Sequence, residues 1–281
     1  MTNPSREEQI IAEAQASVTA RRTQRENPWR YAFGGFAGVL LLILLAWPGT
    51  PMQWKLYSVV HGVCAQIHNV EIGGLQLPMC ARNTGIYGST MLTTLLLLVA
   101  GRGRATKLPP WGVTITLLVM AAIMVVDGFN SLLLDIGAQN LYTPRNEVRT
   151  LTGIGLGIGL AVVLLLIGNL SLRAEVDSDR RLIGGWGELL AIIAINIVVF
   201  SAMYANVGLM FWPIAIIAWS GLVGTLFAVN VLIIALIMGY DGRVGHLSQL
   251  ARPATIAIFT TTVLLGVMAW ARFQIETVQI G

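Results

Sequence analysis

The sequence predicts an all-α fold, a polytopic bundle of about seven transmembrane helices with its N-terminus inside the cell and its C-terminus outside. Hydrophobic residues make up 55% of the chain and charged residues only 11%, and the mean hydropathy is +0.71. Several apolar runs reach the ~20 residues with which a helix crosses a ~30 Å hydrocarbon core. Lys and Arg residues cluster between alternate runs, which indicates the orientation.

The apolar runs divide the chain into three parts. Residues 1–30 form a polar cytoplasmic tail, in which a weak apolar stripe over 6–22 is typical of a short surface helix. The part 31–172 contains four predicted spans: 31–47, 82–100, 111–133 and 148–169. The part 173–281 contains three more: 186–205, 211–239 and 253–271. The sixth span is longer than a bilayer needs, so we expect it to tilt or to extend beyond the membrane. A break near Ser220-Gly221 is the alternative.

The positions of the basic residues give the orientation. Thirteen of the 18 Lys and Arg residues fall in the tail and in the loops 101–110, 170–185 and 240–252. These segments share one side of the membrane if seven helices alternate, and an excess of Lys and Arg is typical of the cytoplasmic side. Because the basic residues stand in short clusters between apolar runs, the net charge of +4 indicates a lipid bilayer as partner and no nucleic acid.

The fourth span carries glycines at alternate positions: Gly153, Gly155, Gly157 and Gly159. Two of the pairs are four residues apart, so they fall on the same face of a helix. Small residues at this spacing let the backbones of two membrane helices approach closely. We therefore expect the fourth span to pack tightly against a neighbouring helix.

The outward stretch 61–87 holds both cysteines and two of the three histidines. Within residues 54–70 apolar positions recur at helical spacings, which predicts an amphipathic helix. A second set recurs at spacings of four, three and four and would project from one side of that helix: Tyr57, His61, Cys64 and His68. Cys80 follows a Gly73-Gly74 turn, at the entrance to the second span.

Three interpretations of this stretch remain open. A Cys64–Cys80 disulfide would close a loop of about 15 residues and contribute about 3 kcal/mol in the chain-entropy model, and an oxidising outer compartment permits it. Alternatively, a transition metal such as zinc or copper has four candidate ligands: His61, Cys64, His68 and Cys80. In the third interpretation Cys80 is a reactive thiol beside a helix N-terminus and Arg82.

Polar residues also converge on the outer half of the bundle from the second, third and fourth spans. Asp127 lies inside the third span, and an ionisable residue at that depth is either functional or half of a buried ion pair. We expect Arg149 or Arg82 to be its partner. The candidate binding residues are Arg82, Asn83, Tyr87, Asp127, Asn130, Arg145, Arg149 and Thr152.

Several of these residues form a longer pattern: His61, Cys64, Gln66, Gly74, Pro78, Cys80-Ala81-Arg82, Thr84-Gly85-Ile86-Tyr87, Asp127-Gly128, Asn146, Arg149 and Thr152-Gly153. Over about residues 50–165 this pattern resembles an uncharacterised family of prokaryotic integral membrane proteins, domain of unknown function 2085. The resemblance implies a multi-pass protein of the prokaryotic plasma membrane and no established activity. Two positions depart from the family pattern, because Ala65 replaces a His and Asn83 replaces a Cys. If the family binds metal through these positions, this chain has lost two ligands.

Three functions therefore remain open. An outward thiol or metal centre would suit an enzyme or a redox component. A cavity lined by Tyr87, Asp127 and Arg149 would suit a transporter or a small-molecule binding protein, although the two halves show no repeat and no paired broken helices, which are typical of transporters. The polar tail would suit an accessory subunit that docks on a membrane-protein partner or forms an oligomer.

Overall fold

The computed structural model describes residues 6–64, 68–205 and 207–280, and it confirms the helical class. The helices are α1 (Arg6–Ala46), α2 (Met52–Val60), α3 (Ala81–Val99), α4 (Trp111–Asp135), α5 (Asn146–Leu172), α6 (Trp186–Ser201), α7 (Phe211–Ile237) and α8 (Ala251–Ile280). Short 3₁₀ turns lie at His61–Val63, Gly208–Met210 and Leu247–Leu250. Strand β1 (Glu71–Ile72) pairs antiparallel with β2 (Leu75–Gln76), and β3 (Ala105–Lys107) pairs parallel with β4 (Asp177–Arg181).

Membrane-spanning length and composition are found in five segments of the described chain: Glu26–Ala46, Trp111–Asp135, Asn146–Leu172, Gly208–Ile237 and Leu247–Thr277. The predicted membrane class is therefore confirmed. The other two predicted spans correspond to α3 and α6. Helix α3 has a polar first half that lowers its hydropathy, whereas α6 has only 16 residues, which is about 24 Å at ~1.5 Å per residue.

Two helices differ from the sequence prediction in their continuity. Helix α1 runs without interruption from Arg6 through Pro28 to Ala46, so the predicted surface helix of the tail is continuous with the first span. It ends before Gly49, whose φ of 76° is in the left-handed region. Helix α7 is also continuous, and the break considered near Ser220-Gly221 is absent from this described helix. A side chain at Gly221 would collide with the carbonyl oxygen of Tyr87, so this glycine allows α7 to contact α3.

Helix α3 lies at the centre of the bundle and packs against both α5 and α7. Its polar face is buried and bonds across the helix contact: Ser89 donates to the carbonyl of Ile154 at 3.1 Å, and Thr90 donates to the carbonyl of Gly157 at 3.2 Å. Such bonds satisfy polar groups where lipid offers no water. Because α3 is covered by other helices, it does not need an apolar surface on every side.

The glycines of α5 make the predicted close contact with α3. A Cβ atom at Gly153 would lie 2.6 Å from the carbonyl oxygen of Arg82, and one at Gly157 would overlap the carbonyl oxygen of Ile86. Gly155 faces the side chain of Met120 on α4 instead, and no described atom lies within 4 Å of a Cβ at Gly159. Two of the glycines thus hold α3 and α5 together.

The loops gather at the two ends of the bundle. At one end, β3 pairs with β4, and Arg173 forms a β-bridge with Val244. At the opposite end, the β1–β2 hairpin turns at Gly73, whose Cα lies against Gly208 in the turn between α6 and α7. The loops predicted to be cytoplasmic therefore lie together at the first end.

Substituting Gly157 by Ala tests the contact between α3 and α5. We expect Gly157→Ala to lower the free energy of unfolding by about 1–3 kcal/mol, because the added methyl group forces the two backbones apart. The measurement is the thermal unfolding midpoint of the purified protein in mild detergent. Gly159→Ala is the matched control, since the same change on the same helix meets open space. Equal midpoints for the two variants would contradict this packing.

Candidate functional site

The carboxylate of Asp127 is the centre of a polar cluster in the C-terminal half of α4. Its side chain is 1% exposed, and Arg82 of α3 donates to Oδ2 from Nη2 at 2.7 Å. Thr152 of α5 donates to the same oxygen at 3.2 Å, and the hydroxyl of Tyr142 donates to Oδ1 at 2.5 Å. The Arg82–Asp127 pair therefore joins three consecutive helices to the loop that links α4 and α5.

Asn130 holds that loop in place. Its Oδ1 accepts the backbone N–H of Leu141 at 2.7 Å, and its Nδ2 donates to the carbonyl of Tyr142 at 2.9 Å. Burial, together with the hydrogen bond to Asp127, raises the pKa of Tyr142 to about 12. The phenol therefore stays protonated at neutral pH and remains a donor to the carboxylate.

Arg149 lies beside this cluster, on the first turns of α5. It is 4% exposed, with Nε donating to Ser131 Oγ at 3.4 Å and Nη1 donating to Asn146 Oδ1 at 3.1 Å. Both partners are neutral. No acidic side chain of the described residues forms an ion pair with Arg149, and its buried Nη2 has no hydrogen-bond partner among them. A buried charge usually has a compensating partner.

A cleft of about 660 Å³ opens beside Arg149, between the segments 68–71 and 203–204 and the N-terminus of α5. Its polar lining consists of His68, Asn69, Glu71, Arg145, Asn146, Glu147, Arg149 and Tyr204. Arg145 and Glu147 are exposed and pair with each other at 3.3 Å. The N–H groups at the start of a helix carry a partial positive charge, so Arg149 and α5 both favour a negative group in this cleft.

The predicted helix over 54–70 is wrong in its second half. Helix α2 ends at Val60, the 3₁₀ turn ends at Val63, and Cys64 is extended. His68 consequently does not continue the predicted stripe. Ala65, Gln66 and Ile67 lie outside the described residues, so the structure says nothing of them.

The two histidines have separate carboxylate partners. His61 is 1% exposed, stacks on Phe273 at 4.2 Å between ring centroids, and pairs through Nε2 with Glu276 of α8 at 2.9 Å. His68 pairs with Asp135 of α4 at 3.1 Å. Among the described residues, no group of three or more His, Cys, Asp or Glu side chains could hold a metal ion. The metal set of His61, Cys64, His68 and Cys80 remains a prediction that this geometry does not favour.

Cys64 and Cys80 lie together at the start of α3. The backbone N–H of Cys80 donates to the sulfur of Cys64 at 3.4 Å, and both of these described cysteines are thiols. The Cys64 thiol, followed by burial, raises the pKa of the Cys80 thiol, against the smaller opposite effects of the Asn83 N–H and Arg82. A thiol with a raised pKa is a poor nucleophile at neutral pH. The disulfide between Cys64 and Cys80 stays a prediction.

The other predicted binding residues lie at the edge of this region. Asn83 is partly exposed on the first turn of α3. Tyr87 packs in an apolar cluster with Val60, Met79 and Leu222 and does not line the cleft. The sequence analysis missed five contributors: Ser131, Asp135, Tyr142, Tyr204 and Glu276. Ser131 and Asp135 follow Asp127 at intervals of four, a helical spacing that could have revealed them, whereas Tyr142 lies in a loop with no periodic signal.

The comparisons with known proteins agree with the predicted resemblance. Residues 64–163 match the model of the family described as "Predicted membrane protein (DUF2085)". The match covers α3, α4, most of α5 and the loops that carry the polar cluster. No curated protein and no solved structure matches the chain.

The Asp127→Asn substitution tests whether the ion pair is structural. We expect it to lower the free energy of unfolding on the order of 3 kcal/mol, because Arg82 loses its counter-charge in a buried position. The measurement is chemical or thermal unfolding in detergent. Asp135→Asn is the matched control on the same helix. The Asp135 side chain is 29% exposed, so its pair with His68 should contribute about 1 kcal/mol or less to the free energy of unfolding. An equal loss in both variants would overturn the central role of the Arg82–Asp127 pair.

Proposed function

We propose that this chain is a seven-span protein of a prokaryotic plasma membrane that binds a small anionic molecule in its outer cleft. Arg149 is the residue that pairs with the carboxylate or phosphate group of that molecule. The single observation that carries the proposal concerns Arg149. This residue lies at the wall of a cleft and is only 4% exposed, and its hydrogen-bond partners among the described residues are all neutral.

The chemistry of the cleft supports a binding role in preference to a thiol or metal enzyme. The carboxylate of Asp127 is fully engaged by Arg82, Tyr142 and Thr152, and the pKa of the Cys80 thiol is raised. Arg149 has the opposite character, because an additional acceptor at Nη2 would complete its hydrogen bonding. Arg recognises carboxylate and phosphate through paired N–H donors, so a molecule with one such group fits this position.

The positions of the loops support seven spans. The segment 68–80 lies beside the start of α5, since Asn146 Nδ2 donates to the carbonyl of Asn69 at 3.3 Å. The far end of α5 lies with the loop 101–110, through the pairing of β3 and β4. Helix α3 joins these two ends and therefore crosses the bundle. The bridge between Arg173 and Val244 gives the same argument for α6, because two helices separate these residues.

Ligand titration of the purified full-length protein tests the binding role. The probes are inorganic phosphate, sulfate, acetate, succinate and citrate, and the measurement is the unfolding midpoint in mild detergent. We expect at least one probe to raise the midpoint in a saturable manner. Arg149→Gln should lower the affinity for that probe by about tenfold or more, which corresponds to a loss of about 1.4 kcal/mol of binding free energy.

Arg145→Gln is the matched control, because it removes the same charge from the same cleft at an exposed, already paired residue. It should retain most of the affinity. Arg149→Lys keeps the charge without the planar fork and should bind with intermediate affinity. If no probe saturates, or if Arg149→Gln binds as well as the unmodified protein, the binding proposal is wrong.

Reporter fusions test the number of spans. With seven spans residue 142 is outside and residue 178 is inside, whereas with five spans, without α3 and α6, both assignments are reversed. The C-terminus is outside in either case, so it does not discriminate. We expect alkaline phosphatase, which is active only outside the cytoplasm, to be active when fused after residue 142 and inactive after residue 178. The reverse result would show that α3 does not cross, and it would contradict seven spans.

A further inference from the structure

A second cleft, of about 600 Å³, lies at the opposite end of the bundle from the Arg149 cleft. It is formed where α3 and α5 end, by the loop that follows α3 and the segment 173–180. Three arginines of the described chain line it: Arg104, Arg173 and Arg180. None of them takes part in the outer polar cluster.

The positive charge in this cleft is only partly compensated. Burial, and then the nearby charge of Arg104, lowers the pKa of Arg173, so two guanidinium groups are held close enough to repel. Arg173 donates from Nε to Asn169 Oδ1 at 3.0 Å and has no acidic partner within the part of the chain that the structure describes. Arg104 meets Glu175 at 3.4 Å, but both side chains are more than half exposed, and such pairs contribute little.

The third arginine is fixed by the end of α3. Arg180 donates from Nη2 to the carbonyl of Ala100 at 2.9 Å. Its guanidinium lies over Gly101, where an added Cβ would be 3.2 Å from Nη2. The φ of Gly101 is 72°, so this position favours glycine on two grounds. The arginine side of the cleft is therefore held in a fixed shape.

The cleft is also at the level of the membrane interface. Leu98 and Val176 line it and are 46% and 43% exposed. The first residues of α4 and α6 at the same end, Trp111 and Trp186, are 78% and 53% exposed. Exposed tryptophans are typical of the headgroup region of a bilayer.

The lining also contains two carboxylates: Glu175 beside Arg104, and Asp177, which accepts the backbone N–H of Arg180 at 3.0 Å. Three guanidinium groups against two carboxylates leave a net positive charge, with apolar side chains beside it.

We propose that this cleft binds the phosphate group of an anionic phospholipid from the adjacent leaflet, with Arg104 and Arg173 as its direct partners. The acyl chains then lie along Leu98 and the exposed end of α3. Basic pockets between helices at the cytoplasmic side are known to receive anionic headgroups. Only the assignment to the inner leaflet depends on the proposed topology, and the site is independent of the outer cleft.

The test compares lipids with the purified full-length protein in mild detergent. Dioleoylphosphatidylglycerol is titrated against dioleoylphosphatidylcholine, with glycerol 3-phosphate as the free headgroup, and the unfolding midpoint is measured. We expect a saturable rise with phosphatidylglycerol alone. Arg104→Gln/Arg173→Gln should reduce the apparent affinity at least ~tenfold, because two charge-assisted contacts are lost.

Lys107→Gln/Arg181→Gln is the matched control, because it removes two charges from the paired strands β3 and β4 without touching the cleft lining. It should bind as the unmodified protein does. Arg104→Gln alone, at a side chain 53% exposed, covers the case in which the Arg173 change impairs folding, and it should show a partial loss. Equal losses in the two double variants would indicate diffuse attraction, and saturation by glycerol 3-phosphate would indicate a soluble phosphate site. Either result overturns the proposal.

Discussion

The close backbone contact between α3 and α5 is the constraint on which the rest of the structure depends. Gly153 and Gly157 bring the two helices together so closely that a single methyl group meets a carbonyl oxygen. The hydroxyls of Ser89 and Thr90 then reach carbonyls across the interface. The same approach brings Thr152 and Arg82 to one carboxylate oxygen of Asp127, to which both donate. Both clefts open where this helix pair ends, one at each side of the bundle.

At the end of the bundle that holds the Arg149 cleft, several reactive residue types are already paired. Asp127 pairs with Arg82, the two histidines pair with carboxylates, and the two thiols lie together, although His61 Nδ1 and Arg82 Nε have no hydrogen-bond partner among the described residues. These pairs give the cluster a predominantly structural geometry. Arg149 differs because its two contacts are to neutral oxygens. The proposed anion site depends on this guanidinium group, whose Nη2 has no hydrogen-bond partner among the described residues.

Periodicity explains which parts of this architecture could be predicted. The apolar runs, the glycine face of α5 and the polar residues of α3, α4 and α5 repeat at helical spacings, so the class and the convergence on Asp127 followed from the sequence. The prediction placed His68 on a helix because the apolar residues of 54–70 recur at helical spacings. The helix in fact ends at Val60 and the 3₁₀ turn ends at Val63. The contacts of Tyr142 and Glu276 could not be predicted from the sequence. Their partners are brought to them by the folding of the whole bundle, and no local pattern records such a contact.

The buried polar face of α3 has a consequence for the biogenesis of the protein. This helix leaves the ribosome before α5 and α7, which together cover it. Until α5 is made, Ser89 and Thr90 can bond only to the carbonyl of Ile86 in their own helix, because the carbonyls of Ile154 and Gly157 are not yet present. The burial of α3 is therefore complete only after the synthesis of helices far downstream, including α7, which lies beyond the family match at 64–163. The C-terminal part of the chain thus acts as an assembly partner for the N-terminal part, within one polypeptide.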